Sequence, residues 1–187
     1  MPPSHDGGKD ALRAWAREAR AGLDWERLSA DIVAGLEAWP PLRIARTVLV
    51  FLPMAHEVNL TPLIDLIPGP RFVATRTPSE GPLTVHELGG PLEVHRFGYL
   101  QPHASAPRVR PDEVDVFLLP GLAFDLFGTR LGRGAGYFDT LLVDARRGAM
   151  VVGVVPSALV VDELPSDTHD VAVGFLATEE GVIEVAT

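Results

Sequence analysis

The hydrophobic positions of the chain follow two different spacings, one near the start and another further along. Over residues 10–23 the apolar side chains recur every third or fourth position, which predicts an amphipathic helix with one face in the core. The residues of that face are Leu12, Ala16, Ala19 and Leu23. A second helix is predicted over residues 26–39, so the chain should open with two helices.

Further along, the apolar positions form short unbroken runs instead. Residues 47–52, 114–119 and 150–155 are such runs, rich in valine and leucine, as is typical of strands buried on both faces of a parallel sheet. Weaker patterns predict a strand at 71–75, an edge strand at 83–88, a last short strand at 182–185, and helices at 60–67 and 137–146.

Helices that alternate with buried strands predict a three-layer α/β/α domain with a mainly parallel sheet. The 187 residues are enough for one good-sized core and too few for two ordinary domains. We therefore expect a single domain over residues 1–187, with a flexible tail at 1–8 and a Pro/Ala-rich connector at 101–111. In such sheets ligands bind beyond the carboxyl ends of the strands.

The segment that follows the run at 114–119 carries the chemistry most typical of an anion site. It contains Arg130 and Arg133, ends at Asp139, and has glycines at 128, 132, 134 and 136. Glycines let backbone N–H groups approach an anion, arginines bind phosphate oxygens, and a carboxylate holds Mg²⁺ through oxygen. The segment lacks the Gly-Lys-Ser/Thr of a P-loop and the dinucleotide fingerprint. The alternative is a flexible surface loop.

The composition of the chain argues against several classes of function and location. The net charge of −9 argues against nucleic acid as the main partner, so an anionic substrate would need a local positive pocket. No apolar run is long enough for a transmembrane helix, and the first residues lack the order of a signal peptide. The absence of cysteine suits a cytoplasmic location. Because Leu60 stands where a zinc helix beginning at His56-Glu57 would need its second histidine, we expect no transition-metal site.

The segment from Pro120 to Asp139 closely resembles the signature of the 5-formyltetrahydrofolate cyclo-ligases, also called methenyltetrahydrofolate synthetases. The family pattern is, in outline, Pro-Gly-x-x-Phe-Asp-x-x-Gly-x-Arg-Leu-Gly-x-Gly-x-Gly-Tyr-Tyr-Asp, and this chain departs from it at Phe138, which replaces the second tyrosine. Weaker matches occur in the family's order: Lys9-x-x-Leu12-Arg13, Pro53-x-x-x-Glu57-Val58 and His169-Asp170. The middle third matches loosely. The resemblance implies a fold often grouped with ribose-phosphate isomerases and CoA transferases.

The resemblance also implies a role for particular residues. ATP would be bound by Lys9, Arg13, Arg130, Gly132, Arg133, Gly134, Gly136 and Tyr137. The reduced folate would be bound by Leu52, Glu57, Arg133, Gly134 and Tyr137, and Mg²⁺ by Asp139 and Asp170. Of these, Arg130, Arg133 and Tyr137 would take part in catalysis. Taken by themselves, Glu57 is equally typical of a capping or solvated carboxylate, and Leu52 of plain core.

Three nearby residues are assigned no ligand. Arg17 and Arg20 continue the basic face of the first helix and are interpreted as solvated. Asp125 is interpreted as structural, bracing a turn through side-chain to backbone hydrogen bonds.

The implied activity is ATP- and Mg²⁺-dependent cyclisation of 5-formyltetrahydrofolate to 5,10-methenyltetrahydrofolate by a monomer. A non-catalytic nucleotide- or folate-binding paralogue is the alternative, suggested by Phe138 and by Gly174, where the family commonly has an aspartate. A sugar-phosphate isomerase of the same fold has no supporting acid/base pair.

Overall fold

A computed structural model describes residues 8–186 of the chain. The flexible tail predicted at 1–8 lies outside these residues except for Gly8, which begins the first helix. The helices are α1 (Gly8–Ala21), α2 (Trp25–Ala38), α3 (Pro40–Ile44), α4 (Leu63–Leu66) and α5 (Tyr137–Val143). Within residues 8–186, no helix is both long and apolar enough to cross a bilayer.

Within the described residues, thirteen strands form three sheets. They are β1 (Thr47–Val50), β2 (Arg71–Arg76), β3 (Thr84–Glu87), β4 (Leu92–Val94), β5 (Leu100–Pro102), β6 (Arg108–Val109), β7 (Val116–Pro120), β8 (Ala123–Asp125), β9 (Arg130–Leu131), β10 (Met150–Val154), β11 (Val160–Val161), β12 (Phe175–Thr178) and β13 (Gly181–Glu184). The main sheet has the order β13-β12-β10-β7-β1-β2-β3-β6. Its inner strands from β12 to β2 are parallel, and β13, β3 and β6 complete it in antiparallel pairings.

Helices cover both faces of the main sheet, so the predicted three-layer α/β architecture with a mainly parallel sheet is confirmed. Side chains of β1 alternate between two cores: Val48 and Val50 pack in the core with α2 and α4, and Leu49 packs in the core with α5. All residues of β1 are buried, which explains why its sequence shows an unbroken apolar run instead of alternation.

Several boundaries differ from the sequence predictions for identifiable reasons. The helix predicted at 60–67 shrinks to Leu63–Leu66, because the residue before Pro62 is disfavoured in helical conformation. The strand predicted at the edge, β3, has β6 outside it. Strand β6 and most of β5 lie within residues 101–111, so the interpretation of this stretch as a plain connector was wrong.

The segment from Pro120 to Asp139, called the glycine segment from here on, is more regular than its sequence indicates. It contains β8 and β9, which pair with each other and with β11 in a small sheet. Asp125 is fully buried at the end of β8 and accepts hydrogen bonds from the backbone N–H groups of Phe127, Thr129 and Leu164, so its predicted bracing role is confirmed. At Gly128, φ is +82° and an added Cβ would lie 2.2 Å from the Val173 carbonyl oxygen, so a side chain is excluded there.

Candidate active site

A cleft of about 510 Å³ lies at the carboxyl ends of three neighbouring parallel strands. The chain enters it beyond β1, β2 and β7, at Leu52, Thr77 and Gly121 respectively. This is where an α/β sheet of this kind binds ligands. Every residue predicted for the site lines this one cleft: Lys9, Arg13, Leu52, Glu57, Arg130, Gly132, Arg133, Gly134, Gly136, Tyr137, Asp139 and Asp170.

Arg130 is the most enclosed cation of the cleft, with a side chain that is 7% exposed. It extends from β9, and one of its terminal nitrogens donates to Asp139 Oδ2 over 2.8 Å. Its guanidinium carbon lies 5.6 Å from the centre of the Phe138 ring. The buried Nε has no hydrogen-bond partner within the described residues. A buried donor without a partner is rare in proteins and suits a site whose acceptor comes from a ligand.

Asp139 is positioned by the turn that begins α5. Gly136 has φ of +64° and immediately precedes the helix, so the chain can reverse there without strain. Asp139 follows in the first helical turn, and its second oxygen accepts the N–H of Val171 at 3.3 Å. The aspartate therefore connects the glycine segment to the loop that carries Asp170.

Glu57 and Arg133 form an ion pair between two different loops. Arg133 donates to Glu57 Oε1 over 2.8 Å, and Glu57 Oε2 accepts the N–H of Met54 at 2.9 Å. The Glu57 side chain is only 7% exposed, although it lies in a loop. The preceding residue, His56, has φ of +61°, a left-handed conformation that is uncommon for residues other than glycine. Glu57 is therefore neither a solvated nor a helix-capping carboxylate.

The N-terminal helix closes one side of the cleft with two basic residues. Lys9 Nζ lies 2.6 Å from a carboxylate oxygen of Asp167 and 2.7 Å from one of Asp170. Arg13 Nε donates to the carbonyl oxygen of Gly132 at 3.1 Å. Helix α1 thus contacts both the glycine segment and the loop at 167–170.

The charges of Lys9 and Asp170 stabilise each other. Burial opposes the ionised form of Asp170, but hydrogen bonds from Lys9 and from the N–H of Asp167 outweigh it and lower the pKa of Asp170. Burial likewise opposes the charge of Lys9, but hydrogen bonds to Asp167 and Asp170 outweigh it and raise the pKa of Lys9. Both groups are therefore charged at neutral pH.

The predicted metal ligands, Asp139 and Asp170, fit Mg²⁺ by their chemistry. Within residues 8–186, no group of three or more His, Cys, Asp or Glu side chains is arranged to hold a metal on its own. Mg²⁺ is commonly held by one or two carboxylates together with substrate phosphates and water, so two aspartates beside basic residues are a sufficient protein contribution.

The two arginines that were interpreted as solvated differ from each other. Arg17 is exposed, as expected. Arg20 is buried, so its interpretation as a solvated residue was wrong. Its guanidinium donates at 2.9–3.0 Å to the carbonyl oxygens of His56, Gly121 and Leu122. Burial lowers the pKa of Arg20 to about 10, which still leaves it charged at neutral pH. Arg20 therefore connects α1 to the loop that carries Glu57 and to the loop that follows β7.

Sequence reasoning missed the rim supplied by the middle third of the chain. A hairpin of β4 and β5 carries Arg96, Phe97 and Tyr99 to the cleft, and the Tyr99 hydroxyl donates to Thr77 Oγ1 at 2.8 Å. The signal in the sequence is the close spacing of three rings, His95, Phe97 and Tyr99, around Gly98 in a turn-like stretch.

Comparison with known proteins identifies the family. A model of the 5-formyltetrahydrofolate cyclo-ligase family matches residues 8–179. A 5-formyltetrahydrofolate cyclo-ligase of Mycolicibacterium smegmatis is 35% identical over 150 residues, covering 74% of this chain and 76% of the relative. One from Escherichia coli K12 is 30% identical over 176 residues, covering 90% of this chain and 97% of the relative.

Solved structures agree with the sequence matches. The NMR structure of 5,10-methenyltetrahydrofolate synthetase from Aquifex aeolicus superimposes with a TM-score of 0.83 at 33% identity, covering 96% of this chain and 93% of that one. A synthetase structure from Mycoplasma pneumoniae, 23% identical with a TM-score of 0.76, has the same fold. Because the family model spans almost all described residues, and the Escherichia coli relative is matched along nearly its whole length, the chain belongs to the 5-formyltetrahydrofolate cyclo-ligase family.

Proposed function

We propose that this chain converts 5-formyltetrahydrofolate to 5,10-methenyltetrahydrofolate, with ATP converted to ADP and phosphate. Family membership supports the reaction class. The observation that carries the proposal is the contact between Glu57 and Arg133, at 2.8 Å. It brings the carboxylate predicted for the folate next to a cation predicted for phosphate. A transfer of phosphate to the folate requires the two ligands to meet in this way.

The chemistry accounts for the kinds of residue present. The N-formyl group is an amide and therefore a poor electrophile. Attack of the formyl oxygen on the γ-phosphorus of ATP breaks the bond to ADP and leaves an iminium phosphate. The nitrogen at position 10 then attacks the formyl carbon, its proton is lost, and phosphate departs as the ring closes. Such a reaction depends on positioning and charge neutralisation and requires no protein nucleophile.

On the phosphate side, Arg130, Arg133 and Lys9 bind the triphosphate together with the backbone N–H groups of the glycine segment. Arg130 is suited to the transferred group because its buried Nε has no partner among the described residues. Arg13 fixes the backbone at Gly132 through its 3.1 Å hydrogen bond and adds positive charge. Asp139 and Asp170 would hold Mg²⁺, which when bound neutralises phosphate charge.

On the folate side, Glu57 accepts hydrogen bonds from the amino and N–H groups of the pterin. It is well placed for this because Met54 N–H holds one of its oxygens and the side chain is nearly buried. Leu52 supplies an apolar wall beside it, and Tyr137, which is half exposed, covers the junction between the two ligands.

The non-catalytic alternative rests on Phe138 and Gly174. Gly174 immediately precedes β12, its N–H donates to the carbonyl oxygen of Val151 at 2.9 Å, and it does not line the cleft. Phe138 packs over the Arg130 guanidinium, a contact that a ring of either kind provides. Gly174 lies outside the cleft lining and Phe138 keeps an aromatic ring beside Arg130, so both departures are compatible with catalysis. The cytoplasmic location and the monomeric state stay predictions.

The test is the near-ultraviolet absorbance of methenyltetrahydrofolate, followed with ATP, Mg²⁺ and 5-formyltetrahydrofolate supplied together and with each omitted in turn. We expect product only when all three are present. Product without ATP at a similar rate would exclude activation by phosphorylation. If ATP binds but no folate yields product, the chain is a non-catalytic paralogue.

A further inference from the structure

The loop that carries Glu57 contains a left-handed turn at the residue before it. Among residues 8–186, His56 is the only non-glycine residue with a positive φ. His56 is exposed and does not line the cleft, whereas Glu57 does. Because a side chain disfavours the left-handed conformation, such a turn persists only where neighbouring groups hold it.

Arg20 holds this turn from the inside of the protein, where it is 5% exposed. Its Nε donates to the carbonyl oxygen of His56 at 3.0 Å, and one terminal nitrogen donates to the carbonyl oxygens of Gly121 and Leu122 at 2.9 Å. Gly121 and Leu122 line the cleft, but Arg20, like His56, does not. Arg20 therefore fixes the turn relative to the loop that follows β7.

Trp25, the first residue of α2, supports the same two residues. The centre of its ring lies 4.9 Å from the guanidinium carbon of Arg20, and its Nε1 donates to the carbonyl oxygen of Arg20 at 2.9 Å. The His56 ring meets the Trp25 ring edge-on, with centres 6.4 Å apart. Just past the turn, the N–H of Asn59 donates to Ser29 Oγ of α2 at 3.0 Å. Both α1 and α2 thus hold the turn in place.

The turn determines where the Glu57 carboxylate lies. One of its oxygens accepts the N–H of Met54 at 2.9 Å, and the other accepts a hydrogen bond from Arg133 at 2.8 Å. The carboxylate therefore closes back over the turn and faces the glycine segment at the same time. Rotation of φ at His56 to the usual negative range, by about 120°, would redirect the chain immediately before Glu57. Glu57 could not then keep both contacts.

We propose that His56 and Arg20 are positioning residues for the folate, because the left-handed turn that they form and hold places the Glu57 carboxylate in the cleft. The inference rests on the proposed role of Glu57 in binding the pterin. It requires a residue at position 56 that accepts a left-handed backbone, and it does not require the imidazole ring. Glycine and asparagine accept this conformation, whereas a β-branched residue does not.

The experiment measures the dissociation constants of 5-formyltetrahydrofolate and of ATP, each alone, by calorimetry. We expect His56→Gly and His56→Asn to bind the folate nearly as the wild type does. His56→Val should bind it about tenfold more weakly, because the strain shifts the turn to other conformations. Its affinity for ATP should not fall, because a displaced Glu57 releases Arg133. Ala55→Val is the matched control, since Ala55 is the neighbouring exposed residue and has no positive φ.

Two further variants separate positioning from general damage. In the Glu57→Gln background, the loss of folate affinity caused by His56→Val should be smaller, because the carboxylate that the turn positions is already absent. Arg20→Lys keeps the charge but replaces the guanidinium fork by a single nitrogen, so it should weaken folate binding more than ATP binding. Melting temperatures check that each variant is folded.

Wild-type folate affinity in His56→Val overturns the inference, as does an equal loss of affinity for both ligands or an undiminished effect in the Glu57→Gln background. The same preparations are assayed for turnover with ATP. Folate binding that depends on both His56 and Glu57, found without product formation, supports the positioning role and contradicts the proposed activity. Normal turnover of the wild type, with no effect of His56→Val on folate binding, contradicts only the positioning role.

Discussion

The pair formed by Arg130 and Asp139 concentrates opposite charges in a nearly enclosed part of the cleft. The two side chains are 2.8 Å apart, so Asp139 neutralises the charge of Arg130, whose side chain is only 7% exposed. In the proposed reaction, Asp139 must exchange this partner in part for the metal that accompanies ATP. Its charge, more than its shape, is therefore what the site requires.

Asp139→Asn should leave the fold intact and remove most turnover, because it deletes a charge at almost constant volume. Losing one charge-stabilising group at such a site costs about 3–4 kcal/mol of barrier, or roughly two to three decades in rate. The methenyl absorbance assay measures the loss, and circular dichroism checks the fold. Asp144→Asn, an exposed change at the end of the same helix, is the control. Near-normal activity of a folded Asp139→Asn would show that this aspartate only organises its loop.

Glu57→Gln should weaken folate binding, because the side chain keeps its shape but loses its charge and part of its acceptor capacity. The contact with Arg133 adds a second consequence. Arg133 is half exposed and loses a competing anion, so affinity for ATP without folate should rise by up to about fivefold.

Calorimetry of each ligand alone measures both effects of Glu57→Gln, with the exposed Glu18→Gln as control. Folate affinity that does not change, or an equal loss of affinity for both ligands, would remove Glu57 from the folate site. Because the two loops follow different strands, the sequence by itself indicates no link between Glu57 and ATP. Which side chains pair across a cleft depends on loop conformations that motif spacing does not contain.

At the scale of elements, α1 is held to the rest of the molecule by its polar face as well as its apolar one. Leu12 and Ala16 pack on the small sheet. The basic residues of the polar face, Lys9, Arg13 and Arg20, reach four separate loop segments. The helical spacing predicted the apolar face correctly. The same spacing suggested solvation for Arg20, because periodicity indicates which residues share a face but not whether a loop covers that face.

Arg20→Met should destabilise the protein markedly, because it removes the donors of three carbonyl groups in a buried place. A buried acceptor left unsatisfied costs about 1–3 kcal/mol, so we expect the free energy of unfolding to fall by about 2–4 kcal/mol. Arg17→Met, the same change one turn away on an exposed residue, should stay within about 0.5 kcal/mol. Urea denaturation measures both. Equal effects of the two substitutions would show that the carbonyl contacts of Arg20 contribute no stability.

The strongest sequence patterns correspond to the best predicted elements. The buried runs that became β1, β7 and β10 and the helices α1 and α2 were predicted within a few residues. Short strands were missed, β12 among them, as was the small sheet of β8, β9 and β11. Such strands are two to four residues long, and their pairing is decided by neighbours distant in the chain, so no local periodicity reports them.

At the scale of the whole molecule, the chain has a net charge of −9, yet its cleft pairs nearly every cation with a carboxylate. Three of these pairs join a residue proposed for phosphate with one proposed for the metal or the folate. Without ligands, the net charge of the cleft is therefore close to zero. In the proposed function, MgATP would suit this cleft because it brings both signs of charge at once.

This arrangement predicts how ligands stabilise the fold. Mg²⁺ alone must compete with Lys9 and Arg130 for Asp170 and Asp139, so 5 mM Mg²⁺ is expected to raise the melting temperature by only about 1 °C. MgATP at about 100 times its dissociation constant should add about 2.7 kcal/mol, or roughly 5–10 °C for a chain of this size. In the Asp139→Asn variant, the rise in melting temperature with MgATP should shrink toward the rise with ATP in the absence of metal. Melting curves with Mg²⁺, ATP and both test this without reference to turnover. If Mg²⁺ alone stabilised the protein as much as MgATP does, the aspartates would form a metal site independent of the nucleotide. If MgATP raised the melting temperature of Asp139→Asn as much as that of the wild type, the metal would lie elsewhere.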